Sequence, residues 1–221
     1  TFEREISIEK LTYTYPEGGT IFKDFDCTIQ KGEYVGFRGS SGAGKSTLFN
    51  ILIGLLKPVG GSIKIDGIPL SEKSRTSWLK QIGYVPQEVF IFNGTLAENI
   101  ALGCKDIDFH RVEEVIKHVS LDRWLESLPE GINTQLSEAG GKLSGGQKQR
   151  IGIARALYKQ AAVLLMDEAT SALDNRTEWE INNTLLQLKT NYKDLTILSI
   201  AHRDSSLEYC DRIITIENKY E

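Results

Sequence analysis

Gly39-Ser40-Ser41-Gly42-Ala43-Gly44-Lys45-Ser46, followed by Thr47, decides the fold. The spacing is G-x-x-x-x-G-K-[ST] without a mismatch. An apolar run, Tyr34 to Phe37, leads into it. Leu48, Phe49, Ile51 and Leu52 continue from it with a helical period. Strand, glycine-rich loop and helix in that order predict a phosphate-binding loop. Glycines let successive backbone N–H groups turn toward one anion. The helix that follows adds the positive end of its dipole. In such a loop Lys45 brings a full charge to the phosphates, and Ser46 a hydroxyl to Mg²⁺.

Upstream of the loop, Ile6 and Ile8 alternate, as do Leu11, Tyr13 and Tyr15, and then Phe25, Cys27 and Ile29. Period-two alternation with turns at Pro16-Glu17-Gly18-Gly19 and Lys31-Gly32 predicts antiparallel strands. Downstream, Gly60-Gly61 is expected to break the chain, and Ile63-x-Ile65 ahead of Asp66-Gly67 predicts a hairpin. A short strand over 82–85 ends in Pro86-Gln87. Helical periodicity then covers roughly 96–128, with Val112, Val115, Ile116 and Val119 on one face. A Gly- and Ser-rich loop spans 129–146, and a helix is expected over 147–158. Val163 to Met166 is a continuous apolar run, as in a strand buried on both faces. A helix from about Arg176, then strands at 196–200 and 213–216, complete a strand–helix–strand order that implies a parallel sheet.

The composition is compatible with a sizeable core: 221 residues, 40% hydrophobic. The net charge of −4, with no basic block, argues against a general nucleic-acid footprint. No apolar run approaches the ~20 residues that cross a bilayer. Thr1 stands where an initiator methionine would, so a longer parent protein is expected. Cys27, Cys104 and Cys210 are odd in number and far apart. They are read as small half-buried hydrophobes in a reducing compartment, with no disulfide and no zinc site.

Three further stretches bear on the loop. Val163 to Glu168, VLLMDE, ends a buried strand in two carboxylates, at the end where ligands of open α/β sheets bind. Asp167 suits Mg²⁺, directly or through water, and Glu168 can deprotonate an attacking water. Met166 reads as core. LSGGQ, Leu143 to Gln147, opens a helix and offers a second set of backbone N–H groups from Ser144, Gly145 and Gly146. One nucleotide needs one cradle, so the second is open to a nucleotide held by another subunit or to service as a plain helix cap. His202, just after a strand, is within reach of a γ-phosphate or is structural. His110 and His118 read as solvated helix residues.

The order GSSGAGKS, Gln87, LSGGQ, VLLMDE, SALD (Ser171 to Asp174) and His202 resembles the nucleotide-binding domain of an ABC transporter. The resemblance spans essentially the whole chain. It implies an α/β fold: a P-loop NTPase (RecA-like) core and antiparallel β subdomain from 1–87 and 159–221, with an inserted α-helical subdomain over 88–158. It implies ATP and Mg²⁺ as cofactors, with residues 39–47 around the phosphates. Tyr15 matches the aromatic that stacks on adenine, Gln87 the loop glutamine at Mg²⁺ or water, Glu168 the general base and His202 the switch histidine. Ser144 to Gln147 match the signature that meets the ATP of a second copy, and Asp174 the loop across that dimer.

Val89 to Ile100 and Thr134 to Gly140 are similar to exporter segments, with Glu138 at their acidic position. Ser137 and Ala139 depart from the usual glycine and arginine. Val89, Phe90, Ile91 and Phe92 are either a groove for a membrane-domain helix or core. The resemblance implies a homodimer bearing transmembrane domains, on the cytoplasmic side of a membrane, that exports or flips a lipid, lipid-linked oligosaccharide, peptide or drug. A soluble ABC-type ATPase acting on nucleic acid or ribosomes would need a coiled-coil insertion or a second cassette, and neither is present. A non-catalytic nucleotide sensor is disfavoured by the presence of Glu168, Gln87 and His202.

Overall fold

The structure is a computed structural model and describes residues 2–137, 143–201 and 203–217. The chain opens with strands β1 (Glu5–Thr14) and β2 (Thr20–Gln30), then β3 (Tyr34–Arg38) and helix α1 (Lys45–Leu52). There follow β4 (Gly60–Ile65), β5 (Ile68–Pro69), α2 (Glu72–Leu79) and β6 (Ile82–Val85). Next come β7 (Gly94–Thr95), α3 (Leu96–Ile100), α4 (Phe109–His118), α5 (Asp122–Glu126) and β8 (Gln135–Leu136). The chain closes with α6 (Gly145–Tyr158), β9 (Val163–Asp167), α7 (Asn175–Asn191), β10 (Thr196–Ile200), α8 (Asp204–Leu207) and β11 (Arg212–Thr215).

Two sheets carry the fold. β2-β1-β4-β5 is antiparallel, and β11-β3-β10-β9-β6 is parallel. The parallel sheet separates two apolar clusters, and β9 shows how. Val163 and Leu165 face α1 and the antiparallel sheet, while Leu164 and Met166 face α6 and α7. Burial on both faces removes any need for polar alternation, so the strand reads as one apolar run. Met166 is core, as expected.

Three expectations shift. Gly60 and Gly61 begin β4 instead of breaking the chain; Gly61 takes φ +76° beneath the bulge of β1 at Lys10. The long helical region is three short helices, divided by the turn at Gly103 and by Ser120 with φ 57°. Asp108 caps α4 by accepting from Arg111 N, and the predicted face of Val112, Val115, Ile116 and Val119 is buried. Helix α2 has no counterpart in the sequence reading. Its apolar content is small, and only Trp78 is buried. That indole packs edge-to-face on Phe2 at 6.0 Å and donates to Leu52 O at 2.7 Å, pinning α2 to the end of α1.

Candidate functional site

The strand order puts β3 and β9 on either side of β10, and all three point their C-terminal ends the same way. The glycine-rich loop leaves the end of β3. Gly44 stands at the N-cap of α1 with φ 100° and ψ 11°, a left-handed conformation open to glycine and costly for other residues. A Cβ there would lie 2.3 Å from Ile21 Cγ2. Lys45 is buried, and its Nζ donates to Gly39 O at 2.9 Å and Ser40 O at 2.8 Å. The ammonium thus sits inside the curl of the loop, bonded to neutral carbonyls. Such a buried cation fits an anion in the same cradle.

The loop and β9 meet directly. Ser46 Oγ donates to Asp167 Oδ1 at 3.1 Å, and the Tyr84 hydroxyl donates to Asp167 Oδ2 at 2.7 Å. Burial and the carboxylate together push the Tyr84 phenol well above the usual tyrosine range. A hydroxyl and a carboxylate are hard oxygen donors suited to Mg²⁺, which fills its remaining positions with water and phosphate. The described residues contain no cluster of three or more His, Cys, Asp or Glu able to hold a metal alone. Tyr84 was not singled out from the sequence; its place one residue ahead of Val85-Pro86-Gln87 was the available signal.

Glu168 follows β9 and takes φ 52°, uncommon for a residue with a side chain. Its amide donates to Ile200 O at 3.2 Å, and its carbonyl accepts from Ser171 N and Ser171 Oγ. The carboxylate is therefore presented from a tight turn that follows β9, beside the end of β10. Tyr15 is partly exposed, and its hydroxyl pairs with Thr47 Oγ1 at 3.0 Å, which sets the ring beside α1. Gln87 is exposed just beyond β6, and its carbonyl accepts from the buried Gln149 Nε2 at 2.6 Å. Sequence reading passed over Gln149. His202 lies outside the described residues.

LSGGQ begins α6 two residues earlier than expected. Ser144 is the N-cap: its Oγ accepts from Gln147 N, and Gln147 Oε1 accepts from Ser144 N at 2.8 Å. The glycines are set by close packing. A Cβ at Gly145 would meet Leu173 at 2.7 Å, and one at Gly146 would meet Thr177 at 2.5 Å. The signature thus abuts the start of α7. There Asp174 caps by accepting from Arg176 N, Thr177 N and Thr177 Oγ1. Those bonds, the Thr177 hydroxyl first, hold the Asp174 carboxyl below its usual range. Among the described residues no hydrogen bond joins 143–147 to 39–47.

A family model described as ABC transporter matches residues 22–171. The chain belongs to the ABC transporter family. It is 40% identical over 218 residues to an ATP-dependent lipid A-core flippase of Ralstonia nicotianae, covering 97% of this chain and 36% of that protein. It is also 40% identical over 213 residues to a probable ABC transporter ATP-binding/permease protein of Haemophilus influenzae, covering 96% and 38%. The solved structure of a bacterial Atm1-family ABC exporter with ATP bound superposes with a TM-score of 0.87 at 35% identity, over 98% of this chain and 38% of that one. The chain thus spans little more than a third of these relatives. Its fold is the ATP-hydrolysing nucleotide-binding domain of the exporter type.

The remaining sequence expectations divide. Of the four apolar residues 89–92, Val89 and Ile91 are buried, Phe92 is half-buried and Phe90 is exposed. The segment is therefore both core and surface. Phe90, Glu88, Ser137 and Lys148 line a groove of about 280 Å³. Glu138 and Ala139 lie outside the described residues. Cys27 and Cys210 are half-buried as expected, but Cys104 is exposed on the turn after α3. His118 is not simply solvated: Tyr192 packs edge-to-face on it at 5.3 Å, and its Nδ1 pairs with the tyrosine hydroxyl. No helix among the described residues is long and apolar enough to cross a membrane.

Proposed function

We propose that this domain powers export or flipping of an amphipathic lipid by transmembrane domains of the same transporter, through ATP hydrolysis in a head-to-tail homodimer. The reading rests above all on the meeting of Ser46 and Asp167 beside the buried Lys45. Residues 39–47 hold the ATP phosphates, and Tyr15 stacks on the adenine. Ser46 and Asp167, with Gln87 at the rim, hold Mg²⁺, which when bound neutralises charge on the transferred phosphoryl group. Glu168 takes the proton of the attacking water. Catalysis is then positioning and charge stabilisation.

Ser144 to Gln147 have no bond to the loop of their own chain, which supports their facing the ATP of a second copy. The exposed Phe90 and its groove support docking of a helix from the membrane domain, with this domain read as lying on the cytoplasmic face. The lipid A-core flippase among the relatives supports a lipid cargo. Fluorescent-lipid translocation in proteoliposomes, with peptide and drug efflux as the competing outcomes, tests that choice. Glu168→Gln tests the chemistry: turnover should fall by about 10²-fold or more, as for loss of a general base, while a long-lived ATP-bound dimer accumulates. Unchanged turnover overturns the role of Glu168.

A further inference from the structure

Glu178, in the first turns of α7, is 3% exposed and plays no part in the site described so far. A buried carboxylate is costly unless it is paired and hydrogen-bonded. Glu178 is fully engaged. Its Oε2 accepts from Arg203 Nη1, and its Oε1 accepts from Ser206 Oγ and, at 3.4 Å, from Ser205 Oγ. Arg203 Nη1 also donates to Asn175 Oδ1 at 3.0 Å, and Ser206 Oγ lies 3.5 Å from Thr170 Oγ1. Glu178 and Glu168 line one small void of about 50 Å³ together with Thr170, Ala201 and Arg203.

Glu178 links three segments: it bonds directly to residues 203–206, and it reaches the turn 168–171 through Ser206 and the void they share. The first is the turn from Glu168 to Ser171, which presents the proposed base. The second is the start of α7, where Asp174 caps the helix and Thr177 packs on the signature glycine Gly146. The third is residues 203–206, which follow His202 in the chain. Only the carboxylate of this ion pair is buried, the Arg203 side chain being 43% exposed, and such a pair is weak evidence for stability. Its geometric effect is firmer: it fixes the spacing of the segments it joins. We propose that Glu178 is a positioning residue for hydrolysis, locking the Arg203 segment and the Asp174 turn to the loop that carries Glu168. Closure of a second copy on the signature face then aligns the base and the segment after β10 as one unit. The proposal rests on the reading of Glu168 as the base.

The test is made in the intact protein that carries this chain. Glu178→Gln keeps the volume and removes the charge. We expect kcat to fall by about tenfold or more with KM for ATP within about twofold, a split that marks loss of alignment in the transition state and not loss of binding. Arg203→Gln should do the same, and the double variant should lose no more than either single one, as for two residues acting as a unit. Wild-type turnover with unchanged kcat in Glu178→Gln overturns the proposal, as does a loss that only follows the folded fraction. Absence of turnover in the wild type overturns the ATPase reading itself. Should Glu178→Gln not fold, Arg203→Gln decides, because it removes the charge and the Nη1 bonds to Glu178 and Asn175; a fall in kcat at constant KM supports the proposal, and full activity overturns it.

Discussion

Two alanines in the phosphate-binding loop separate backbone strain from steric clash. Gly42 and Gly44 both hold positive φ, +82° and +100°. A Cβ on Gly42 meets nothing within 4 Å, whereas one on Gly44 lies 2.3 Å from Ile21 Cγ2 and 3.1 Å from Phe22 Cζ. The left-handed backbone costs an L-residue about 1–2 kcal/mol. Alanine also narrows the unfolded ensemble, which offsets about 0.4–1 kcal/mol. Gly42→Ala should therefore cost about 1 kcal/mol net. Gly44→Ala adds overpacking against a strand whose Phe22 is buried, typically about 1–3 kcal/mol. Its total is about 2–4 kcal/mol. At about 2–4 °C per kcal/mol for a domain of this size, Tm should drop by about 2–4 °C for Gly42→Ala and about 4–16 °C for Gly44→Ala. Thermal unfolding without nucleotide reads the difference. An ATP titration then reads the cradle, because stabilisation grows with the logarithm of ligand over Kd, and Gly44→Ala should lose most of that rise. Equal Tm losses in the two variants, or a larger loss in Gly42→Ala, would refute the reasoning.

Tyr84→Phe should raise the Mg²⁺ concentration needed for half-maximal turnover by about fivefold, because it removes a half-exposed hydrogen bond to Asp167 worth about 1 kcal/mol. ATP binding measured in EDTA should not change, and an unaltered Mg²⁺ dependence would count against Tyr84 as the orienter of that carboxylate. Burial pushes the Cys27 thiol up to about 11 and the Cys210 thiol up to about 12, from 9.0. With folded values above unfolded ones, their contribution to stability is complete below about pH 9 and is lost as pH rises toward those values. Urea midpoints followed from pH 8 upward should fall less steeply in a Cys27→Ala/Cys210→Ala variant, and identical slopes would dismiss the effect. In the intact protein, Phe90→Asp should leave basal ATP turnover in place and abolish its stimulation by transported substrate; retained stimulation would move the docking surface elsewhere.

Local pattern made much of this fold legible. The glycine loop fixed strand, turn and helix around residue 44, and the apolar run 163–166 announced a strand covered on both faces. Helix α2 escaped because it buries only Trp78 and is started by a Ser71–Ser74 capping box with no acidic partner. Helical periodicity over roughly 96–128 shows no boundaries; what divides the region into three helices is backbone geometry at Gly103 and Ser120, invisible to periodicity. Pairings distant in sequence were beyond reach. Tyr84 meets Asp167 across 83 positions, and His118 meets Tyr192 across 74. The local signal at Tyr84, its place just ahead of Val85-Pro86-Gln87, does not name Asp167 as its partner. The signature glycines were assigned to exposed N–H groups, whereas Gly146 is buried against Thr177, so close helix packing is a second reason for their size.

The left-handed backbone at Glu168 carries a consequence for how such a sequence persists. A residue with a long side chain held there stores about 1–3 kcal/mol that glycine, and in part asparagine, would not incur. Selection for heat resistance alone would drift away from glutamate at this position; on the proposed role of Glu168, the hardier proteins would hold ATP without spending it. On the proposed role of Glu168 as the base, that conformation is a cost in endurance set against turnover.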